Sequence, residues 1–148
     1  MKTRIAFTLI ELMVVVLIVA VLAALIVPMM TSRIEGARWS EGKAGAGTIA
    51  TQLRAYVAEQ GEEGVAIPGT IAISTFMTES ELRGKYFQAT DYTIDNVYYN
   101  PAATGAGEYQ LTYTISVKPG SVNTELTWKK TGYRLLHTGE WLEGLGGA

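Results

Sequence analysis

The chain has 148 residues, of which 48% are hydrophobic and 18% charged, and its formal net charge is −2. That length allows one domain plus a tail, and 14 acidic against 12 basic residues leave no basic footprint for nucleic acid. Because there is no cysteine, disulfide staples, thiolate metal sites, a catalytic thiol and a lipid anchor on cysteine are all excluded.

Residues 1–6 form a short basic leader, in which Lys2 and Arg4 precede a long apolar run. By the positive-inside rule this end of the chain stays in the cytoplasm. Residues 7–30 predict a hydrophobic helix of about 36 Å, long enough to span a hydrocarbon core of about 30 Å. A cleaved secretory signal is the less favoured alternative, because its apolar region is only about 7–15 residues long.

Glu11 is the one charged residue between Phe7 and Met30. A carboxylate inside a membrane span costs about 2.5–3.5 kcal/mol on insertion scales, so we expect it to have a partner and a function. The alternative without a function is a carboxylate that snorkels to the cytoplasmic interface. Pro28, near the end of the same run, removes one helical donor and predicts a kink.

Residues 31–60 predict an amphipathic continuation of this helix, which ends near Gly61. Apolar residues recur there at spacings of three and four, as along the buried stripe of a helix. They are Ala46, Ile49, Ala50, Leu53, Tyr56 and Val57. The same segment is rich in glycine, which leaves two interpretations open, a poorly formed linker or a helix that neighbouring helices approach closely. The glycines are Gly36, Gly42, Gly45 and Gly47.

Residues 61–85 predict a connector loop with one short helix. Pro68 and Gly69 indicate a turn. Thr78 and Glu81 have the spacing of a capping box at the start of the short helix, which Gly84 would end.

Residues 86–148 predict an antiparallel meander of three or four strands, in three β-type runs separated by short polar or glycine-bearing links. In the second run, strict alternation places five apolar residues on one face, namely Tyr109, Leu111, Tyr113, Ile115 and Val117. The third run supplies Leu126, Trp128, Tyr133, Leu135 and Trp141. Packing one face of this sheet on the helical stripe predicts an α+β domain, with a long N-terminal helix against a C-terminal sheet.

No catalytic or metal site is predicted from the residues. His137 is the only histidine, and without cysteine it lacks partners for a strong metal cluster. Asp91, Asp95 and Asn96 lack the spacing of a calcium-binding loop. We therefore expect no cofactor and no enzymatic activity.

The N-terminal pattern resembles that of type IV pilins and of the pseudopilins of type II secretion. The shared features are the basic leader, a small residue at position 6, an aromatic residue opening a long apolar helix, a glutamate four residues later, and Pro28. In this sequence the motif reads Ala6, then Phe7-Thr8-Leu9-Ile10-Glu11. The family pattern has glycine where this chain has Ala6.

The resemblance implies a function and partners. A membrane peptidase and methyltransferase would cut between Ala6 and Phe7 and methylate the new amine of Phe7. The precursor would cross the inner membrane once, and an assembly ATPase and a membrane platform would polymerise it into an extracellular filament of identical subunits.

The new amine answers the question that Glu11 raises. A cationic amine and a carboxylate are each costly to bury alone and tolerable together, and one buried polar residue can set the register of an assembly. We therefore expect Glu11 to accept the Phe7 amine of a neighbouring subunit. Two alternatives to a pilus subunit stay open: a pseudopilin of type II secretion, and a signal-anchored surface binding protein that does not polymerise.

Overall fold

The computed structural model describes residues 7–62, 67–100, 111–122 and 131–145. One long helix, α1 (Leu9–Glu62), is followed by an antiparallel sheet, so the predicted α+β class is confirmed. The chain divides into two compact units, Met1–Ala37 and Arg38–Ala148.

The first unit consists, in its described part, of the apolar half of α1. Every side chain from Phe7 to Ile34 is exposed. Among the described residues, one helix, Leu9–Gln60, is long and apolar enough to cross a membrane by length and composition, and its most apolar stretch has a mean hydropathy of 3.2. Exposed apolar surface of this extent needs lipid or another protein to cover it.

The second unit has its core between the rest of α1 and one face of the sheet. The predicted stripe is confirmed, because five of its six residues are buried and Tyr56 packs against the core at its edge. Trp39 adds an aromatic ring one turn before Gly42, 5.4 Å from the ring of Phe87 and 4.8 Å from the ring of Tyr133, centroid to centroid.

The glycine-rich segment is helical, so the linker interpretation is wrong. Two of its glycines instead make room for aromatic side chains of the same unit. A Cβ on Gly42 would lie 2.7 Å from Phe87 Cζ, and one on Gly45 would collide with the hydroxyl of Tyr92. A Cβ on Gly36 or Gly47 would meet nothing. Gly42 and Gly45 are therefore packing residues, in spite of their helical cost.

The connector is more ordered than a loop. Its described part contains a three-residue strand β1 (Ile67–Gly69) and 3-10 helices at Ile73–Thr75 and Glu79–Leu82, and a third 3-10 helix, Ala89–Asp91, follows the connector. The second of these is the short helix predicted from the capping pattern. Its Thr78 N–H donates to Glu81 Oε2 at 3.0 Å, which is one half of the capping box.

The sheet is a meander in the order β1, β2 (Tyr92–Tyr99), β3 (Leu111–Val117), β4 (Tyr133–Leu136) and β5 (Trp141–Glu143). All neighbouring strands are antiparallel. Within the described residues, β2–β5 give the C-terminal region four strands, as predicted, and the short β1 in the connector adds a fifth. The first β-type run becomes a strand only at Tyr92, because residues 89–91 form a 3-10 turn.

The alternation predicted for β3 is confirmed, since Tyr113, Ile115 and Val117 are buried and Leu111 packs at the edge of the core. In β2 the alternation changes phase at a β-bulge between Asp95 and Tyr98, where Asn96 has φ of +53°. Ile94 and Val97, three residues apart, consequently both face the core. Tyr109, Leu126 and Trp128 lie outside the described residues.

Candidate functional site

The start of α1 carries the residues that the sequence singles out. Ala6 lies outside the described residues. Phe7 precedes the helix, and its side chain is 71% exposed. The helix begins at Leu9, so Thr8 is the N-cap residue and Glu11 is the third residue of the first turn.

Thr8 and Glu11 form a complete capping box. Glu11 Oε2 accepts hydrogen bonds from Thr8 N–H at 2.9 Å and from Thr8 Oγ1 at 2.7 Å. In return, Glu11 N–H donates to Thr8 Oγ1 at 3.3 Å. Two donors at the helix start are thereby satisfied inside the chain. Sequence reasoning missed this partner of Glu11, although Thr-x-x-Glu before an apolar run is the pattern of a capping box.

The carboxylate of Glu11 lies on an apolar surface. Together with Phe7, Ile10, Val14 and Val15 it lines a shallow open groove of about 380 Å³. Phe7, Val14 and Val15 each lie three or four residues from Glu11, and Ile10 lies four residues from Val14, so their side chains are neighbours on one side of the segment. The arrangement places one anionic group among side chains that all require covering.

Pro28 lies inside α1, which continues through it as one helix. Two hydroxyl groups bond to carbonyls next to it. Thr31 Oγ1 donates to the Pro28 carbonyl at 2.9 Å, and Ser32 Oγ donates to the Met29 carbonyl at 3.0 Å. Such back-bonding by Ser and Thr accompanies helix bending. The kink at Pro28 stays a prediction.

In the second unit, the carboxylate of Glu41 on α1 holds the turn at the end of the connector. Glu41 Oε1 accepts from Tyr86 N–H at 2.7 Å and from Phe87 N–H at 3.0 Å. Gly84 N–H donates to the Phe87 carbonyl at 2.8 Å and closes the turn, and a Cβ on Gly84 would collide with Glu41 Oε1. Burial raises the pKa of the Tyr92 phenol above its ordinary value, and the nearby carboxylates of Glu41 and Asp91 raise it further.

Asp91 connects the start of β2 to the turn after β3. Its carboxylate is buried, with the residue 4% exposed, and accepts from Gln88 N–H, Ser121 N–H and Ser121 Oγ at 2.9–3.1 Å. Asn96 lies in the bulge of β2. Within the described ranges, no group of three or more Asp, Glu and His side chains is placed to hold a metal ion. The carboxylate of Asp91 is thus engaged by the protein itself.

The comparisons with known proteins match both this N-terminal site and most of the chain. The family model of the prokaryotic N-terminal methylation motif matches residues 1–27. The type IV major fimbrial protein FimA of Dichelobacter nodosus is 30% identical over 145 residues, covering 95% of this chain and 86% of that protein. No solved structure matched the chain.

The chain belongs to the type IV pilin family. That family consists of structural proteins rather than enzymes, and it implies a filament of identical subunits and processing by a prepilin peptidase. The exposed apolar half of α1 fits both a membrane-anchored precursor and an extracellular filament.

Proposed function

We propose that this chain is the structural subunit of a type IV pilus and that it polymerises through α1 after its leader is removed. The observation that carries the proposal is the first unit itself, whose side chains are exposed from Phe7 to Ile34 and whose helix has one carboxylate in its first turn. The fimbrial relative, similar over 95% of this chain, supports a pilus over a secretion pseudopilus.

The proposed parts follow the chain. Residues 1–6 are the leader, and the peptidase cuts between Ala6 and Phe7, after which Phe7 is methylated. Residues 7–30 form the membrane and filament-core helix, with a bend at Pro28, and residues 31–60 continue it. Residues 61–85 are the connector, and residues 86–148 form the outer sheet domain.

The membrane acts as the store of subunits. The apolar half of α1 is covered by lipid before assembly and by sister helices afterwards, and the two environments are similarly apolar. The transfer is therefore feasible, and an external assembly motor supplies its direction. The N-terminus of the precursor is cytoplasmic because Lys2 and Arg4 lie there.

Glu11 sets the register of the filament by accepting the Phe7 amine of a neighbouring subunit. An α-amine has a pKa of about 7.7–8.0 and is mostly protonated at neutral pH, so the pair is ionic. Breaking a buried pair by removing one partner costs about 3–5 kcal/mol, which is enough to prevent addition of a subunit.

The variant Glu11→Val tests this role. It is expected to insert in the membrane, since the change removes a charge from an apolar span, and to yield no regular filaments. Filaments are sheared from cells, quantified and imaged, with Val15→Ala on the same helix face as the control. Normal filaments from Glu11→Val would contradict the proposed role.

Mass spectrometry of the sheared protein and of the membrane fraction tests the processing step. A chain that begins at methylated Phe7 would support cleavage after Ala6. A chain that still begins at Met1 and stays in the membrane would exclude the Phe7 amine as a partner and favour a signal-anchored binding protein.

A further inference from the structure

Within the described residues, the side chain of Glu11 makes its hydrogen bonds with Thr8. Two of them converge on one carboxylate oxygen, Oε2, at 2.9 Å from the Thr8 amide nitrogen and 2.7 Å from Thr8 Oγ1. In addition, the backbone N–H of Glu11 donates a hydrogen bond to Thr8 Oγ1 at 3.3 Å. The carboxylate is thereby held back toward the beginning of the chain.

We propose that Thr8 is a positioning residue for filament assembly. It holds the Glu11 carboxylate by Oε2 in a single orientation and leaves Oε1 for the Phe7 amine of the neighbouring subunit. This inference rests on the proposed function and adds to it the residue that prepares Glu11 for its partner.

The capping box lowers the cost of keeping the Glu11 carboxylate in the membrane before assembly. A carboxylate among exposed apolar side chains is unfavourable until it has hydrogen-bond donors. Thr8 supplies two donors from the same chain, so the unassembled subunit holds Glu11 without a cationic partner. The unassembled subunit can therefore stay in the bilayer with the Glu11 carboxylate hydrogen-bonded and still available for assembly.

The box also favours the transfer to the filament. An amine carries a full charge, and charge-assisted hydrogen bonds are roughly twice as strong as those between neutral groups. Because Thr8 occupies only Oε2, the incoming amine adds a bond without breaking the two that exist. The side chain is already ordered, so little rotamer entropy is lost when the pair forms.

The threonine hydroxyl can be removed with little change in shape. Thr8→Val keeps the β-branched side chain and the backbone N–H but loses the 2.7 Å bond to Oε2 and the acceptor for Glu11 N–H. Thr8→Ser retains the hydroxyl and serves as the matched control, since serine and threonine are both good N-caps.

The first measurement is the yield of sheared filaments relative to the total subunit, with the cut at Phe7 checked by N-terminal mass spectrometry. Thr8→Val is expected to lower the yield roughly tenfold, as expected for the loss of a hydrogen bond to a charged group, and Thr8→Ser to stay within about twofold of the wild type. A wild-type yield from Thr8→Val, beside failed assembly of Glu11→Val, would overturn this inference and leave the proposed function standing. Normal assembly of Glu11→Val would overturn the proposed role of Glu11 instead.

The second measurement does not depend on processing or assembly. Infrared spectra of the full chain in detergent micelles, with ¹³C-labelled glutamate, give the Glu11 carboxylate band as the difference from Glu11→Gln. Thr8→Val is expected to shift this band and Thr8→Ser to leave it in place. A band that Thr8→Val does not move would overturn the inference, whether or not that variant is cleaved.

Discussion

Lys43 Nζ lies 4.1 Å from the centroid of the Tyr133 ring, at the point where α1 meets the hairpin of β4 and β5. The ring of Trp141, across the hairpin, is 5.3 Å from the same ammonium and meets the Tyr133 ring edge-on. One cation of the helix thus contacts both strands of the last hairpin, and cation–π attraction contributes about 0.5–2 kcal/mol at such sites.

Lys43→Met is expected to lower the free energy of unfolding by about 0.5–2 kcal/mol, because the apolar stem is retained and the charge over the two rings is lost. Urea unfolding of the full chain in detergent micelles, followed by tryptophan fluorescence, measures this loss. Lys43→Arg keeps a cation and is the control. Equal stability of the methionine variant and the wild type would show that the contact contributes nothing.

Alanine substitutions at two glycines of α1 are expected to change the stability of the protein in opposite directions. Gly47→Ala is expected to stabilise the chain by up to about 1 kcal/mol, since a Cβ there meets nothing and alanine is the better helix former. Gly42→Ala is expected to destabilise it by about 1–3 kcal/mol, because its Cβ would lie 2.7 Å from Phe87 Cζ. Thermal unfolding by circular dichroism compares the two. Stabilisation by both substitutions would contradict the packing role of Gly42.

Glu41 is expected to hold the turn of residues 84–87 on the helix. Glu41→Ala leaves the N–H groups of Tyr86 and Phe87 without their acceptor, and hydrogen bonds to charged groups contribute about 1.5–3 kcal/mol. Hydrogen–deuterium exchange of these two amides should accelerate. Glu41→Gln retains an oxygen acceptor and should show a smaller effect, whereas unchanged exchange in Glu41→Ala would refute the contact.

Tyr92 predicts a loss of stability at alkaline pH. Its folded pKa is raised by burial and by the carboxylates of Glu41 and Asp91, so folding favours the neutral phenol. The corresponding stability is present in full below the unfolded pKa of about 10 and is lost as the pH rises through the folded value. The unfolding temperature should therefore fall above about pH 10, and fall less in Tyr92→Phe. The same decline in both proteins would assign it to other groups.

Periodicity predicted the parts of the fold in which a single rule acts. The stripe from Ala46 to Val57 repeats at helical spacing, and the run from Leu111 to Val117 alternates without a break. The class, the long helix and the meander follow from these patterns. The short helix after Thr78 was also predictable, because its capping pair lies at a fixed spacing.

The parts that were not predicted depend on partners distant in sequence or on a single backbone angle. The bulge at Asn96 shifts the inward face from Ile94 to Val97, and no composition signal in that run marks the change. Gly42 and Gly45 are explained only by Phe87 and Tyr92, more than 40 positions further along the chain. The pair of Thr8 and Glu11 has the spacing of a capping box, but a carboxylate in an apolar run points first to an ionic partner.

The fit of Phe87 against Gly42 and of Tyr92 against Gly45 has a mechanical consequence. Each aromatic ring occupies the space that the missing Cβ of a glycine leaves on the helix surface. Rotating or translating the helix would push a ring against a neighbouring residue that has a side chain. In the second unit, these contacts therefore fix the position of the sheet on α1 both around the helix axis and along it. A force applied along that stretch of helix would therefore be transmitted to the sheet without the helix sliding. The chain achieves this by having glycine instead of alanine at positions 42 and 45.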